Sequence, residues 1–140
     1  MEYIYVNDRP YPLEERDYEI SLLRWLRERL HLTGTKCGCG VGHCGSCNVI
    51  IEGKLRRACL FKCGKLLGQH VRTIEGLAVN GKLHPVQESF LICGVMQCGY
   101  CTPAQVMTVV ALLESNPNPS REEIDRAFEG VLCRCGSYPR

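Results

Sequence analysis

At 140 residues the chain has room for one ordinary domain or two small ones. With 45% hydrophobic and 23% charged residues it has the composition of a folded globular protein, and no apolar run approaches the roughly 20 residues of a membrane span. The formal charge of +2 comes from basic residues scattered along the chain, which is no footprint for nucleic acid.

Eleven cysteines are far too many for chance, and the usual causes are a secreted disulfide framework or metal ligation. The odd count, the C-x2-C groups within Gly-containing loops and an opening without a signal peptide favour metal in a reducing cytosol.

Residues 3–6 (Tyr-Ile-Tyr-Val) read as a strand, Asn7-Asp8-Arg9-Pro10 as a turn, and a second strand is expected within 11–19. From Ser21, a plausible N-cap, the spacing of Leu22, Leu23, Leu26 and Leu30 predicts an amphipathic helix, ended by Thr33-Gly34-Thr35. A cysteine-rich loop follows. Asn48 to Ile51 is a strand, Glu52-Gly53-Lys54 a tight turn, and Leu55 to Leu60 the return strand carrying Cys59. His70 to Ile74 is a last short strand, which completes a small ferredoxin-like α+β unit.

Between Gly76 and Pro85 the character changes, and only helical patterns follow. They are Val86 to Cys93, Pro103 to Leu113 with Thr102 as N-cap, and a third helix opened by the capping box Ser120-Arg121-Glu122-Glu123. A short segment at 129–134 closes a small helical bundle. The expected boundary divides the chain into 1–76 and 77–140.

Counted from Cys39, the loop reads C-x4-C-x2-C with a fourth cysteine downstream: Cys39, Cys44, Cys47 and Cys59. That is the plant-type [2Fe–2S] ligand spacing. Three thiolates can converge from so short a loop only if it curls tightly, which Gly38, Gly40, Gly42 and Gly45 permit. They also leave backbone N–H groups of the loop unshielded and able to hydrogen-bond sulfur.

In the helical half, Cys98-Gly99-Tyr100-Cys101 precedes a helix, whose positive end favours thiolates, and Cys133-Arg134-Cys135 lies near the chain's end. A lone C-x2-C suits zinc, but the C-x-C half departs from the x2 to x4 spacing of structural zinc sites. A second [2Fe–2S] centre on Cys98, Cys101, Cys133 and Cys135 fits better. The remaining thiols have plainer readings. Cys37 would replace Cys39 only by breaking the x4 spacing, Cys63 and Cys93 read as small buried apolar residues, and His43 as an exposed loop residue.

Several segments together resemble the two-cluster iron–sulfur subunit of the xanthine oxidase (molybdenum hydroxylase) family. They include Leu32 to Lys36, Cys39 to Cys47, Arg57-Ala58-Cys59, Thr73 to Gly76, Leu83-His84-Pro85, Gln97 to Pro103, Asn116 to Ser120 and Leu132 to Cys135. Gly136-Ser137-Tyr138 departs from the family's more usual Thr-Gly-Tyr.

The resemblance implies an N-terminal β-grasp domain carrying the plant-type cluster, followed by a four-helix-type domain carrying the other. It implies that Gln97 and Cys135 contact a molybdopterin held by a separate large subunit or domain, and that electrons pass from the plant-type cluster usually to FAD in a third subunit, or to another acceptor. On that reading the chain relays electrons and is not itself catalytic. A free-standing ferredoxin and a zinc-stabilised interaction module are the alternatives.

Overall fold

The computed structural model describes residues 2–140. A five-stranded mixed sheet occupies the first half, ordered β2-β1-β5-β3-β4. β1 (Tyr3–Val6) and β2 (Arg9–Pro12) form an antiparallel hairpin. β3 (Asn48–Ile51) and β4 (Lys54–Arg57) form a second. β5 (His70–Arg72) lies between them, parallel to β1 and antiparallel to β3.

Both hairpin turns use two residues with positive φ, Asn7 and Asp8 in one and Glu52 and Gly53 in the other, whose twist matches that of the strands. The tight first turn explains why β2 begins at Arg9, earlier than the pattern suggests. Pro10 and Pro12 are tolerated because β2 is an edge strand.

Helix α1 (Leu22–Glu28) starts as expected, with the Ser21 hydroxyl accepting from the Arg24 N–H at 3.2 Å. It packs Leu22, Trp25 and Leu26 against Val49, Ile51, Ile4 and Val71. β3 is buried at every position because its other face is covered too. Ile50 points into a second cluster with Val106, Met107 and Val110 of α3 (Thr102–Ser115). Asn48 donates to the Thr108 hydroxyl at 3.1 Å on that same side. The sheet is thus held between α1 and α3, and its two halves of chain share a core.

Two further strand boundaries differ from the sequence reading. β4 ends at Arg57, and Ala58–Leu60, with Cys59, turns as a single 3₁₀ step. β5 ends at Arg72 because Thr73 leaves the ladder to bond Asn7, its N–H donating to Asn7 Oδ1 at 2.9 Å. After Leu77 the chain makes a tight turn at Asn80-Gly81, both with positive φ, and enters α2 (Pro85–Ile92), capped by His84 and Gln87.

α3 starts one residue early, with Cys101 at the N-cap position and Thr102 inside the helix. α4 (Arg121–Phe128) carries the expected Ser120/Glu123 capping box. Among the described residues the second half holds three α-helices, not four. Residues 129–140 form turns, because Tyr138 bonds back to Val131 and Gly136 takes a positive φ. No helix among the described residues is long and apolar enough to cross a membrane.

Candidate metal centres

The loop between α1 and β3 is anchored at its base. Arg27 donates to the carbonyls of Thr33 and Thr35 at 2.8 and 2.9 Å, and Glu75 accepts from the Gly34 N–H at 2.6 Å. Above that base the backbone turns its N–H groups inward. Cys39 Sγ accepts from Val41, His43 and Cys44 at 3.4, 3.2 and 3.3 Å, and Cys44 Sγ from Cys39 and Ser46 at 3.3 and 3.5 Å.

These donors stabilise a thiolate, led by the Cys44 N–H, and hold the Cys39 thiol down to about 6. They converge on Cys39 and not on Cys37. The latter is exposed, and its carbonyl accepts from the Tyr100 hydroxyl.

Cys47 is buried, and burial pushes its thiol up to about 12, with Cys59 and Cys44 as its sulfur neighbours. The four residues of the first set, Cys39, Cys44, Cys47 and Cys59, are therefore brought together. Cys59 reaches the group because the strand stops at Arg57. A protonated buried thiol must lose its proton to ligate, so metal loading here releases protons.

The second set is assembled from two distant stretches. Cys101 lies buried at the start of α3, and burial pushes its thiol up to about 12, with Cys133 and Cys98 as its sulfur neighbours. Cys133 behaves oppositely. Burial pushes it up, but the Ser137 hydroxyl at 3.2 Å and the Ser137 N–H at 3.4 Å, with Cys101 and the Cys135 N–H, bring it down to about 7. The Tyr138 hydroxyl accepts from the Cys133 N–H at 2.6 Å and donates to the Val131 carbonyl at 2.8 Å.

Cys135 is half-buried, and its carbonyl accepts from Gln97 Nε2 at 3.4 Å. Gln97 is exposed, so this pair lies together at the surface. The second set is thus linked as a chain of neighbours, Cys98 to Cys101, Cys101 to Cys133, Cys133 to Cys135, and Cys135 to Gln97.

The two sets meet along a seam. The Cys44 carbonyl accepts from the Leu132 N–H at 2.8 Å, one residue before Cys133. Gly45, at φ +74, lies so close to Gly130 that a Cβ there would be 2.0 Å from its carbonyl oxygen. Arg57 bonds the Gly42 carbonyl at 2.6 Å and the Gly130 carbonyl at 3.0 Å. Sequence reasoning missed Arg57, Leu132, Ser137 and Tyr138 as parts of the sites. Their roles depend on contacts across the fold or on a chain reversal, neither of which leaves a spacing signal.

The surplus thiols divide. Cys63 is fully buried in the first core, as expected, with its thiol pushed up to about 12 by burial. Cys93 is exposed instead, because it caps the end of α2 beyond the core-facing stripe. His43 is exposed, and it contributes to the loop through its N–H.

Among the described residues no three or more His, Cys, Asp or Glu side chains gather around a single-ion site. Three thiol pairs form instead, Cys39 with Cys44 and Cys47 with Cys59 in the first set and Cys101 with Cys133 in the second, while Cys98 and Cys135 stand outside them. Pairs suit a [2Fe–2S] centre, in which each of two irons takes two protein ligands. The all-thiol donors and the inward N–H groups fit such a net-anionic group.

Comparison with known proteins agrees. A 2Fe-2S iron-sulfur cluster binding domain matches residues 4–68, and a [2Fe-2S] binding domain matches residues 73–140. The alpha subunit of isoquinoline 1-oxidoreductase from Brevundimonas diminuta is 43% identical over 135 residues, covering 96% of this chain and 88% of that one. The chain belongs to the xanthine oxidase family.

Within that family it is homologous to the iron–sulfur subunits and regions of molybdenum hydroxylases. Rat xanthine dehydrogenase/oxidase is 42% identical over 144 residues, 96% of this chain but 11% of the relative. The chain spans the same 11% of guinea-pig aldehyde oxidase 4. The crystal structure of quinoline 2-oxidoreductase from Pseudomonas putida 86 superposes with a TM-score of 0.89 at 38% identity, covering 99% of this chain and 87% of that one.

Proposed function

We propose that the chain is the electron-transfer subunit of a molybdenum hydroxylase, receiving electrons from a molybdopterin centre in a large partner subunit and passing them to FAD or another acceptor. Residues 1–76 form the β-grasp domain of this reading and residues 77–140 the helical domain. Cys39, Cys44, Cys47 and Cys59 would hold one [2Fe–2S] centre, and Cys98, Cys101, Cys133 and Cys135 the other. Each centre supplies one-electron storage when bound.

The observation that carries the proposal is the seam. The hydrogen bond from Leu132 N–H to the Cys44 carbonyl joins one thiol set to the other within a few bonds. A free-standing ferredoxin needs only one set. Around the first set, the inward N–H groups stabilise negative charge on sulfur. Around the second, Ser137 does so from a side chain. Gln97 and Cys135, adjacent and open to solvent on one side, would face the pterin in the partner, and the chain's own residues touch no substrate.

Eleven cysteines, eight of them offered as cluster ligands, suit a reducing cytoplasm, where thiols stay reduced. The test is low-temperature EPR with spin quantitation on the anaerobically purified, dithionite-reduced chain, with iron and sulfide analysis. Two distinct S = 1/2 signals and about four irons per chain are expected for two [2Fe–2S] centres. One signal with half that iron would return the protein to the ferredoxin reading, and zinc in place of iron would make it an interaction module.

A further inference from the structure

Arg57 stands between the two thiol sets. It is half-buried, and its guanidinium reaches the Gly42 carbonyl in the first loop and the Gly130 carbonyl three residues before Cys133. Among the described residues no carboxylate pairs with it, whereas Arg72, also on the sheet, is closed by Glu114 at 2.7 Å. A partly buried cation held only by carbonyl dipoles is incompletely compensated. The missing counter-charge is at hand if both sets are loaded, because four thiolates and two sulfides outweigh two ferric ions and make each centre a net anion.

We propose that Arg57 is a positioning residue and the shared counter-charge of both centres, clamping the two loops together and favouring the reduced form of each. This rests on the two-centre reading above. A guanidinium is a fixed positive charge. Adding an electron makes a centre more negative, and a nearby fixed cation stabilises that state more than the oxidised one. Because Arg57 bonds to both loops, its effect falls on both centres at once, unlike the N–H groups around Cys39 or the Ser137 hydroxyl, each of which serves one set.

The test is a redox titration of the purified full chain monitored by EPR, comparing wild type with R57Q and R57K. The wild-type spectrum judges the two-centre reading by itself, since fewer than two signals there refutes it before any variant is considered. Given two signals, R57Q is expected to lower the reduced-to-oxidised ratio of each centre about tenfold at fixed potential, a shift of about 59 mV for one electron. R57K, which keeps the charge, is expected to recover most of that shift.

Unchanged potentials in R57Q, or equal shifts in R57Q and R57K, would overturn the proposal. If R57Q loses iron and R57K retains it, the charge is needed to hold two anionic centres side by side, and the proposal stands. Loss of iron in both would assign Arg57 a purely geometric role and overturn it.

Discussion

The two cysteine sets solve one chemical problem by opposite means. The first is nearly local: three of its thiols lie within nine residues, and the charge on Cys39 is carried by backbone N–H groups of its own loop. The second joins the start of α3 to the chain's closing turns, and the charge on Cys133 is carried chiefly by the side chain and N–H of Ser137. A local site is robust to distant change but sensitive to its glycines. An assembled site is tuned by side chains and depends on the fold that unites its parts.

The largest expected effect comes from the point where the two strategies touch. Gly45→Ala would place a Cβ 2.0 Å from the Gly130 carbonyl oxygen at a φ of +74, so backbone must move on one side of the seam. The left-handed conformation alone costs an L-residue roughly 1–2 kcal/mol, and the clash adds to it. Urea unfolding of the purified variant is expected to show at least about 2 kcal/mol of destabilisation. Both EPR signals should change together. An effect confined to the first signal would mean that the seam does not couple the sites.

A smaller effect separates the two modes of tuning. In metal-free protein the Cys39 thiol, held at about 6, is a thiolate above that pH, and Cys133 follows at about 7. Alkylation mapped by mass spectrometry should therefore rise at Cys39 first as pH increases, then at Cys133. Cys47, Cys63 and Cys101, at about 12, should stay unreactive through neutral pH. Ser137→Ala is expected to move the Cys133 midpoint upward, because a donor to its thiolate is lost, and to leave Cys39 unmoved. A shift at Cys39 would show that the first set is not self-contained.

The smallest effect is a control remote from both sets. Ser120→Ala removes the α4 N-cap and should cost about 1 kcal/mol of stability with both EPR signals intact. The partner Glu123 is held below the usual carboxylate range, first by the Ser120 N–H and then by its hydroxyl. Its contribution is present above the unfolded value of 4.5 and is lost as pH falls through the lower folded value. Wild type and Glu123→Gln should therefore converge in stability on acidification, which thermal unfolding from neutral pH downward checks.

Much of this architecture was legible residue by residue. Ser21 and Ser120 announced helix starts because a cap is a local hydrogen bond. The Cys39 loop declared its chemistry because spacing and glycine content are local as well. Where the reading erred, a distant partner had intervened. Thr73 left its strand for Asn7, and Cys59 turned out of β4 to join Cys47. Cys93 shows a different limit: composition cannot say which face of a short helix end meets the core.

The sequence by itself determined which thiols could act together, where α1 and α4 begin, and that two metal centres of one kind were in prospect. Those properties live in spacing, capping and turn chemistry, which act over a few residues. Only the tertiary structure decided that Ile50 of β3 packs with α3 in a second cluster that draws on both halves of the chain. Ser137 and Tyr138 likewise come back to set Cys133, and Arg57 spans the seam, only in the folded chain. These depend on contacts whose partners pack together only once the sheet is covered on both faces, and no short-range pattern encodes that arrangement.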